Sequence, residues 1–199
     1  MENLSLATLS GKLLPCFPCG FDKRPLTPRG FKDASSDAET VEALWRHYPG
    51  PLIGVPTGES SGLAVIDIDP RHGGHEWLAA QNLPVTRVHA TRGGGSHFLF
   101  RHRQGLKCSI GRIASGVDIR AEGGYFIWWP AAGFGVLCNA PPTDWPFPNL
   151  VRPPSGAFEP SAEPRLQREY TPLRRPQPTR QPPAAPRRTH TARAGPEGS

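Results

Sequence analysis

The stretch LAVIDIDPRHGG, residues 63–74, sets two aspartates into an otherwise oily run. A strand has period two, so Ile66 and Ile68 point to one face while Asp67 and Asp69 point to the other. The isoleucines suit a packed core. The two carboxylates share the opposite face with Cα atoms about 7 Å apart, by strand rise. Charges that close repel unless something positive lies between them. A hard divalent cation, Mg²⁺ or Mn²⁺, meets that need, because it takes carboxylate oxygens and can then hold substrate phosphates. The plainer alternative is a strand end emerging into solvent, with Asp69-Pro70 opening a turn.

The flanking sequence supplies the frame. Ser36-Asp37-Ala38-Glu39 has the form of a capping box, and Val41, Leu44, Trp45 and Tyr48 follow at helical spacing. Pro49-Gly50 ends that helix. Residues 52–55 and 63–69 read as two strands joined by a Gly/Ser-rich turn, and residues 75–82 as one short helix. Residues 85–91 and 97–103 read as a second strand pair around Arg92-Gly93-Gly94-Gly95-Ser96. Residues 117–120 and 125–129 flank Ala121-Glu122-Gly123-Gly124, a further hairpin signal. Strands outnumber helices and fall mostly in hairpins. The expected fold is α+β, on a mixed or antiparallel sheet flanked by helices.

Two of these strands repeat the pattern of the first. In His97-Phe98-Leu99-Phe100 the phenylalanines face one side and His97 the other. In Val117-Asp118-Ile119-Arg120 the apolar pair faces inward, leaving Asp118 and Arg120 on the open face. With the strands adjacent and in register, Asp67, Asp69, His97, Asp118 and Arg120 project from one polar face. Singly, each has a bland explanation, such as a hydrogen-bonded strand histidine or an aspartate at an exposed edge. Together they are three carboxylates for metal, with a histidine and an arginine for anionic phosphate. The carboxylates are then expected within roughly 4–8 Å of one another, with His97 a phosphate's width further, on the rim of the cleft. Gly93-Gly94-Gly95 would let the backbone approach a ligand and offer N–H groups to phosphate oxygens. No Walker A sequence is present, which disfavours a P-loop ATPase.

Composition divides the chain in two. Hydrophobic content is 37% and there are 25 prolines in 199 residues, unusual values for a wholly folded protein. Residues 151–199 hold 11 of those prolines and nine arginines against four glutamates, so they carry +5 of the chain's +6. Residues 1–150 are expected to form one folded domain, and residues 151–199 a disordered Pro/Arg-rich tail or linker. Arginines in that segment could hold nucleic acid through phosphate contacts. No stretch is long and apolar enough to cross a membrane. The opening MENLSLATLSGKLLPCFPCG lacks the form of a secretory signal, so a cytoplasmic location is expected. Cys16 and Cys19 form a lone CxxC without a second pair of zinc ligands, which favours reduced, semi-buried thiols over a metal site.

The ordered array GVPTGESSGLAVIDIDPRHGG, LPVTRVHATRGGGSHFLF and SGVDIRAEGGYFIW closely resembles the bifunctional DNA primase/polymerase (prim-pol) domain of the archaeo-eukaryotic primase superfamily. KRPLTPRGFKDASSD and the Trp45 helix resemble that family's opening segment, and the likeness spans about residues 13–130. The resemblance implies a metal-binding DxD at Asp67 and Asp69 and a third acidic motif at Asp118. It also implies an S-x-H-like element at Gly95-Ser96-His97-Phe98, with His97 touching the incoming nucleotide's phosphates. Trp129-Pro130-Ala131-Ala132-Gly133 departs from the PPS-like element expected after GGY.

The implied activity is nucleotidyl transfer on a single-stranded DNA template, in a plasmid- or phage-type replication system often coupled to a helicase. The implied cofactors are two Mg²⁺ or Mn²⁺ ions on Asp67, Asp69 and Asp118, with Ser96, His97, Arg120 and Arg101 lining a dNTP or NTP. A metal-dependent nuclease or glycosyltransferase can also carry DxD, but the His97 and Asp118 motifs, in this order, argue against both. A non-catalytic nucleic-acid-binding replication accessory with a nucleotide site is the alternative from another class.

Overall fold

The computed structural model describes residues 7–151. The expected tail, residues 151–199, lies outside the described residues except for Val151. In chain order the strands are β1 (Thr8–Leu9), β2 (Lys12–Leu13), β3 (Phe17–Cys19), β4 (Leu52–Pro56) and β5 (Leu63–Ile68). They continue as β6 (Arg87–Ala90), β7 (Ser96–Arg101), β8 (Ser109–Ala114), β9 (Val117–Arg120), β10 (Tyr125–Ile127) and β11 (Val136–Cys138). Helix α1 (Ala38–His47) precedes β4, and α2 (Gly74–Ala79) follows β5. The architecture is α+β. A six-stranded sheet runs β11-β6-β7-β5-β9-β8, a three-stranded sheet runs β10-β4-β3, and β1 with β2 makes a separate ribbon. All these ladders are antiparallel. Among the described residues no helix is long and apolar enough to cross a membrane.

β5 sits at the centre and is covered on both faces. Its even-numbered residues Ala64, Ile66 and Ile68 join Phe100, Leu106, Val117, Ile119 and Trp145 in one buried cluster. Its odd-numbered Leu63 and Val65 join Leu99 under Ile53, Val55, Phe126 and Trp128, which come from β4 and the β10 segment. The three-stranded sheet therefore lies over half of this second face. The cover ends between Val65 and Asp67, and a cleft begins there.

Helix α1 starts one residue later than its capping-box pattern suggests. Asp37, not Ser36, is the N-cap, and its carboxylate accepts from the Thr40 N–H at 2.9 Å and the Thr40 hydroxyl at 2.7 Å. α2 is shorter than residues 75–82 and packs Trp77 against the first cluster. The β6–β7 hairpin forms as expected, Arg87 facing Leu99 and Ala90 facing Ser96.

The other two expected hairpins do not form. β4 belongs to the small sheet and β5 to the large one, and β9 and β10 are divided in the same way. Their connectors are crossings between sheets, and they bond to each other. Thr57 donates its N–H to the Gly124 carbonyl at 2.9 Å and its hydroxyl to the Ala121 carbonyl at 2.6 Å. A Gly-rich run marks a sharp change of direction but does not say where the chain goes next. Strand β8 had no sequence signal, since it is an edge strand whose Ile110 is 83% exposed.

Candidate active site

Register decides which polar groups meet. Asp67 on β5 lies directly opposite His97 on β7 and directly opposite Asp118 on β9, while His97 lies opposite His89 on β6. Directly opposed residues of an antiparallel pair share a face. His89, His97, Asp67 and Asp118 thus form one row across four strands. Asp118 lies on the same face as Asp67, as strand alternation predicts.

Inside the row, His97 Nε2 lies 3.4 Å from Asp67 Oδ1. The Arg120 guanidinium bridges the two carboxylates, with Nη2 3.0 Å from Asp118 Oδ2 and 3.5 Å from Asp67 Oδ2. Asp118 Oδ1 also accepts the Gly111 N–H at 3.0 Å, from the irregular strand β8. Burial would raise the Asp67 pKa, but His97 and Arg120 together outweigh it, so the carboxyl titrates below its ordinary range.

Asp69 stands just past the end of β5 and caps the short 3₁₀ turn Pro70–His72. Its Oδ1 accepts from Arg71 N and Nε, both at 3.0 Å, and its Oδ2 accepts from Arg71 Nη2 at 2.7 Å. His72 Nδ1 is 3.2 Å from the same oxygen. The Arg71 side chain is the main reason the Asp69 pKa falls far below the usual carboxylate range. Both carboxyls of the DxD pair are therefore ionised at neutral pH.

These groups line a cleft of two lobes. One, about 480 Å³, is walled by Asp67, Asp69, Arg71, His97, Asp118 and Arg120, with Lys23, Gly93 and Gly95 at its edge. The other, about 370 Å³, shares Asp67, His97, Arg120, Lys23 and Trp129 and extends to Phe31 and Tyr125. Gly95 is where the β6–β7 turn crosses the end of β5. A Cβ at this position would collide with the Ile68 carbonyl oxygen, so only glycine lets the turn come that close.

Five of the residues singled out in the sequence meet here: Asp67, Asp69, His97, Asp118 and Arg120. His97 is closer in than expected, 5% exposed and edge-on to Phe126 rather than out on the rim. Ser96 pairs with Ile68, so it belongs to the opposite, apolar face and does not line the cleft. Arg101 is at the far end of β7, where it binds Asp144 at 2.7 Å and the Pro142 carbonyl at 3.4 Å. The three carboxylates expected to share ions all border this cleft, each with an arginine against it. Among the described residues no three His, Cys, Asp or Glu side chains stand together as ready ligands.

Other residues of the site escaped the sequence reading. Arg71 lies in the quoted segment itself, where Asp-Pro-Arg is an Asx-type turn whose third side chain can fold back onto the first. Lys23 reaches both lobes from a loop remote in sequence; it opens the KRPLTPRG segment, where nothing marked it as a site residue. His89 is fully buried behind His97 and accepts a hydrogen bond from Arg87 Nε at 2.8 Å. Burial first, and then the Arg87 charge, pushes its pKa down to about 3. Cys16 and Cys19 are fully buried, in separate clusters, and burial pushes both thiols up to about 12.

Residues 6–146 match the profile of the family described as bifunctional DNA primase/polymerase, N-terminal. A comparison with curated proteins gives no match.

Proposed function

Because the chain belongs to the bifunctional DNA primase/polymerase family, we propose that its cleft carries out divalent-metal-dependent, template-directed nucleotidyl transfer. The observation that supports this most is the register that sets Asp67 between His97 and Asp118, with a cation, Arg120, lodged across both carboxylates. A positive charge at that position is what two opposed carboxylates require.

The donor set fits Mg²⁺ or Mn²⁺, since it is made of hard carboxylate oxygens at the mouth of an open cleft. Asp67 and Asp118, with Asp69 beyond the strand end, would hold the ions. When bound, such ions activate a 3′-hydroxyl and stabilise the departing pyrophosphate. Arg120 and Arg71 carry guanidinium forks that match phosphate oxygens as well as carboxylates. Both are placed to neutralise the triphosphate of a dNTP or NTP. His97 orients Asp67 and faces both lobes, so it offers a donor to the same phosphates. Ser96 and Arg101 have no part in this assignment. We read residues 1–150 as the catalytic domain of a plasmid- or phage-type replication protein acting in the cytoplasm on single-stranded DNA.

One observation favours a second reading, a non-catalytic replication accessory that binds nucleic acid and nucleotide. Every carboxylate of the site is already paired with an arginine. Primer synthesis and extension on single-stranded DNA, with labelled nucleotides and Mg²⁺ or Mn²⁺, separates the two. The catalytic reading predicts metal-dependent products, lost by several orders of magnitude in a folded Asp67→Ala/Asp69→Ala protein. Nucleotide binding without any product would support the accessory.

A further inference from the structure

The segment Gly20-Phe21-Asp22-Lys23-Arg24, between β3 and α1, is a tight turn at the edge of both lobes. Gly20 donates its N–H to the Arg24 carbonyl and Lys23 donates to the Gly20 carbonyl, each at 2.9 Å. Arg24 N–H donates to Asp22 Oδ1 at 3.0 Å. Two outside groups pin the turn further. Tyr125 Oη donates to the Lys23 carbonyl at 3.1 Å, and Arg92 Nη2 donates to the Phe21 carbonyl at 2.9 Å. Lys23 has φ +70°, a left-handed conformation that a non-glycine residue keeps only where its surroundings hold it.

What this pinned turn presents to water is a phenyl ring. Phe21 is 72% exposed and belongs to none of the buried clusters. Lys23 and Arg24 follow it in the same turn, and Arg92 bonds its backbone carbonyl. Arg24 is extended into solvent, its charge shared at 3.7 Å with Asp22, which is also exposed. Lys23 and Arg92 each rest against the buried Trp129 ring, 5.6 and 5.5 Å from its centroid. An exposed aromatic ring on a pinned backbone, with cations beside it in the turn, is what a single strand of nucleic acid requires. An unpaired base stacks on the ring, and the neighbouring phosphates take the positive charge. A duplex keeps its base faces inside and has no use for the ring.

We propose that the Phe21 turn docks single-stranded nucleic acid, with one base stacked on Phe21 and adjacent phosphates on Arg24 and Arg92. Only the further identification of that strand as the template rests on the nucleotidyl-transfer reading of the cleft. The test is fluorescence anisotropy of the full chain with a labelled oligothymidylate and with a duplex of the same length, across a salt series. Phe21→Ala should weaken binding to the single strand about tenfold and leave duplex binding unchanged. Phe21→Trp should restore it. Arg24→Gln should reduce the log–log salt slope by about 0.7, one single-strand phosphate contact. Phe21 is exposed, so neither substitution at this position threatens the fold.

Wild-type affinity in Phe21→Ala, an equal loss on duplex, or no binding of the oligothymidylate by the wild-type chain would each overturn the proposal. Measuring nucleotide incorporation with the same proteins keeps the two readings apart. Phe21-dependent binding without any incorporation retains the docking turn and removes the polymerase. Incorporation with Phe21-independent binding does the reverse.

Discussion

On one face of β5, Ala64, Ile66 and Ile68 are shut away with Phe100, Val117 and Ile119. On the other face Val65 is equally buried, yet Asp67, two residues along, opens onto a cleft. The same strands build both faces, and the same period places both sets of side chains. The difference comes from the second layer. Over the apolar face the cover is continuous, whereas over the polar face Phe126 and Trp128 reach as far as His97 and His89 and leave Asp67 and Asp118 open to the cleft. The site is the uncovered part of a face whose covered part is ordinary core. Charged groups can stand there because water and ligands reach them, at a position where full burial would cost several kcal/mol per unpaired charge.

If the faces are divided in this way, damage to one should leave the other's property alone. The largest effect is expected from Asp118→Asn, which keeps the shape and an acceptor for Gly111 but removes a charge. Nucleotide incorporation should fall by several orders of magnitude while stability changes by less than about 1 kcal/mol, the worth of a partly exposed ion pair. Single-nucleotide incorporation and a denaturant melt read the two quantities separately. Phe100→Ala should do the opposite. Emptying the cluster beneath the sheet should cost about 3–5 kcal/mol, yet leave incorporation per folded molecule close to wild type. A Phe100 variant that stays stable but loses catalysis would break the division of labour.

Acid sharpens the comparison from within the polar row. His89 is held neutral by burial, with a folded pKa of about 3 against an unfolded value near 6.5. Between those values the unfolded chain binds the extra proton. The stabilisation is therefore complete above the unfolded value and drains away as pH falls toward the folded one. Stability should drop by about 2 kcal/mol from pH 7 to pH 4.5, and His89→Gln should flatten that slope in denaturant melts at several pH values. Asp67 and Asp69 act at lower pH with the usual carboxylate sign. Their depressed values add stability that is lost only as pH falls below about 4. The smallest effect is expected at His97. His97→Ala should weaken nucleotide binding about tenfold, one charge-assisted hydrogen bond, with Mn²⁺ affinity nearly unchanged. An equal loss of Mn²⁺ affinity would make His97 a ligand.

What the sequence revealed follows from range. VIDID, HFLF and VDIR each state locally which side chains share a face, and the structure keeps that assignment for Asp67, His97 and Asp118. The same alternation places Ser96 on the apolar face, against the role its motif suggested. Arg101 does share a face with His97, but four residues of strand separate them by roughly 13 Å, and Asp144 engages it. Strand partners were less legible, because a Gly-rich connector reads alike whether it closes a hairpin or crosses to another sheet. The burial of His97 was also hidden, since it depends on Phe126 arriving from the small sheet. The arginines on the carboxylates were invisible for a related reason. Arg71 and Arg120 lie in plain sight in the sequence, but which anion an arginine takes is settled by geometry.

Asp67 and Asp118 are proposed to hold divalent ions at the position Arg120 now bridges. Anomalous diffraction from crystals soaked with Mn²⁺ and a non-hydrolysable nucleotide tests it most directly. The expected result is manganese density within about 2.0–2.3 Å of oxygens from Asp67 and Asp118, with the Arg120 guanidinium turned from the carboxylates toward phosphate. Nucleotide in the cleft without manganese, and Arg120 still spanning Asp67 and Asp118, would contradict it.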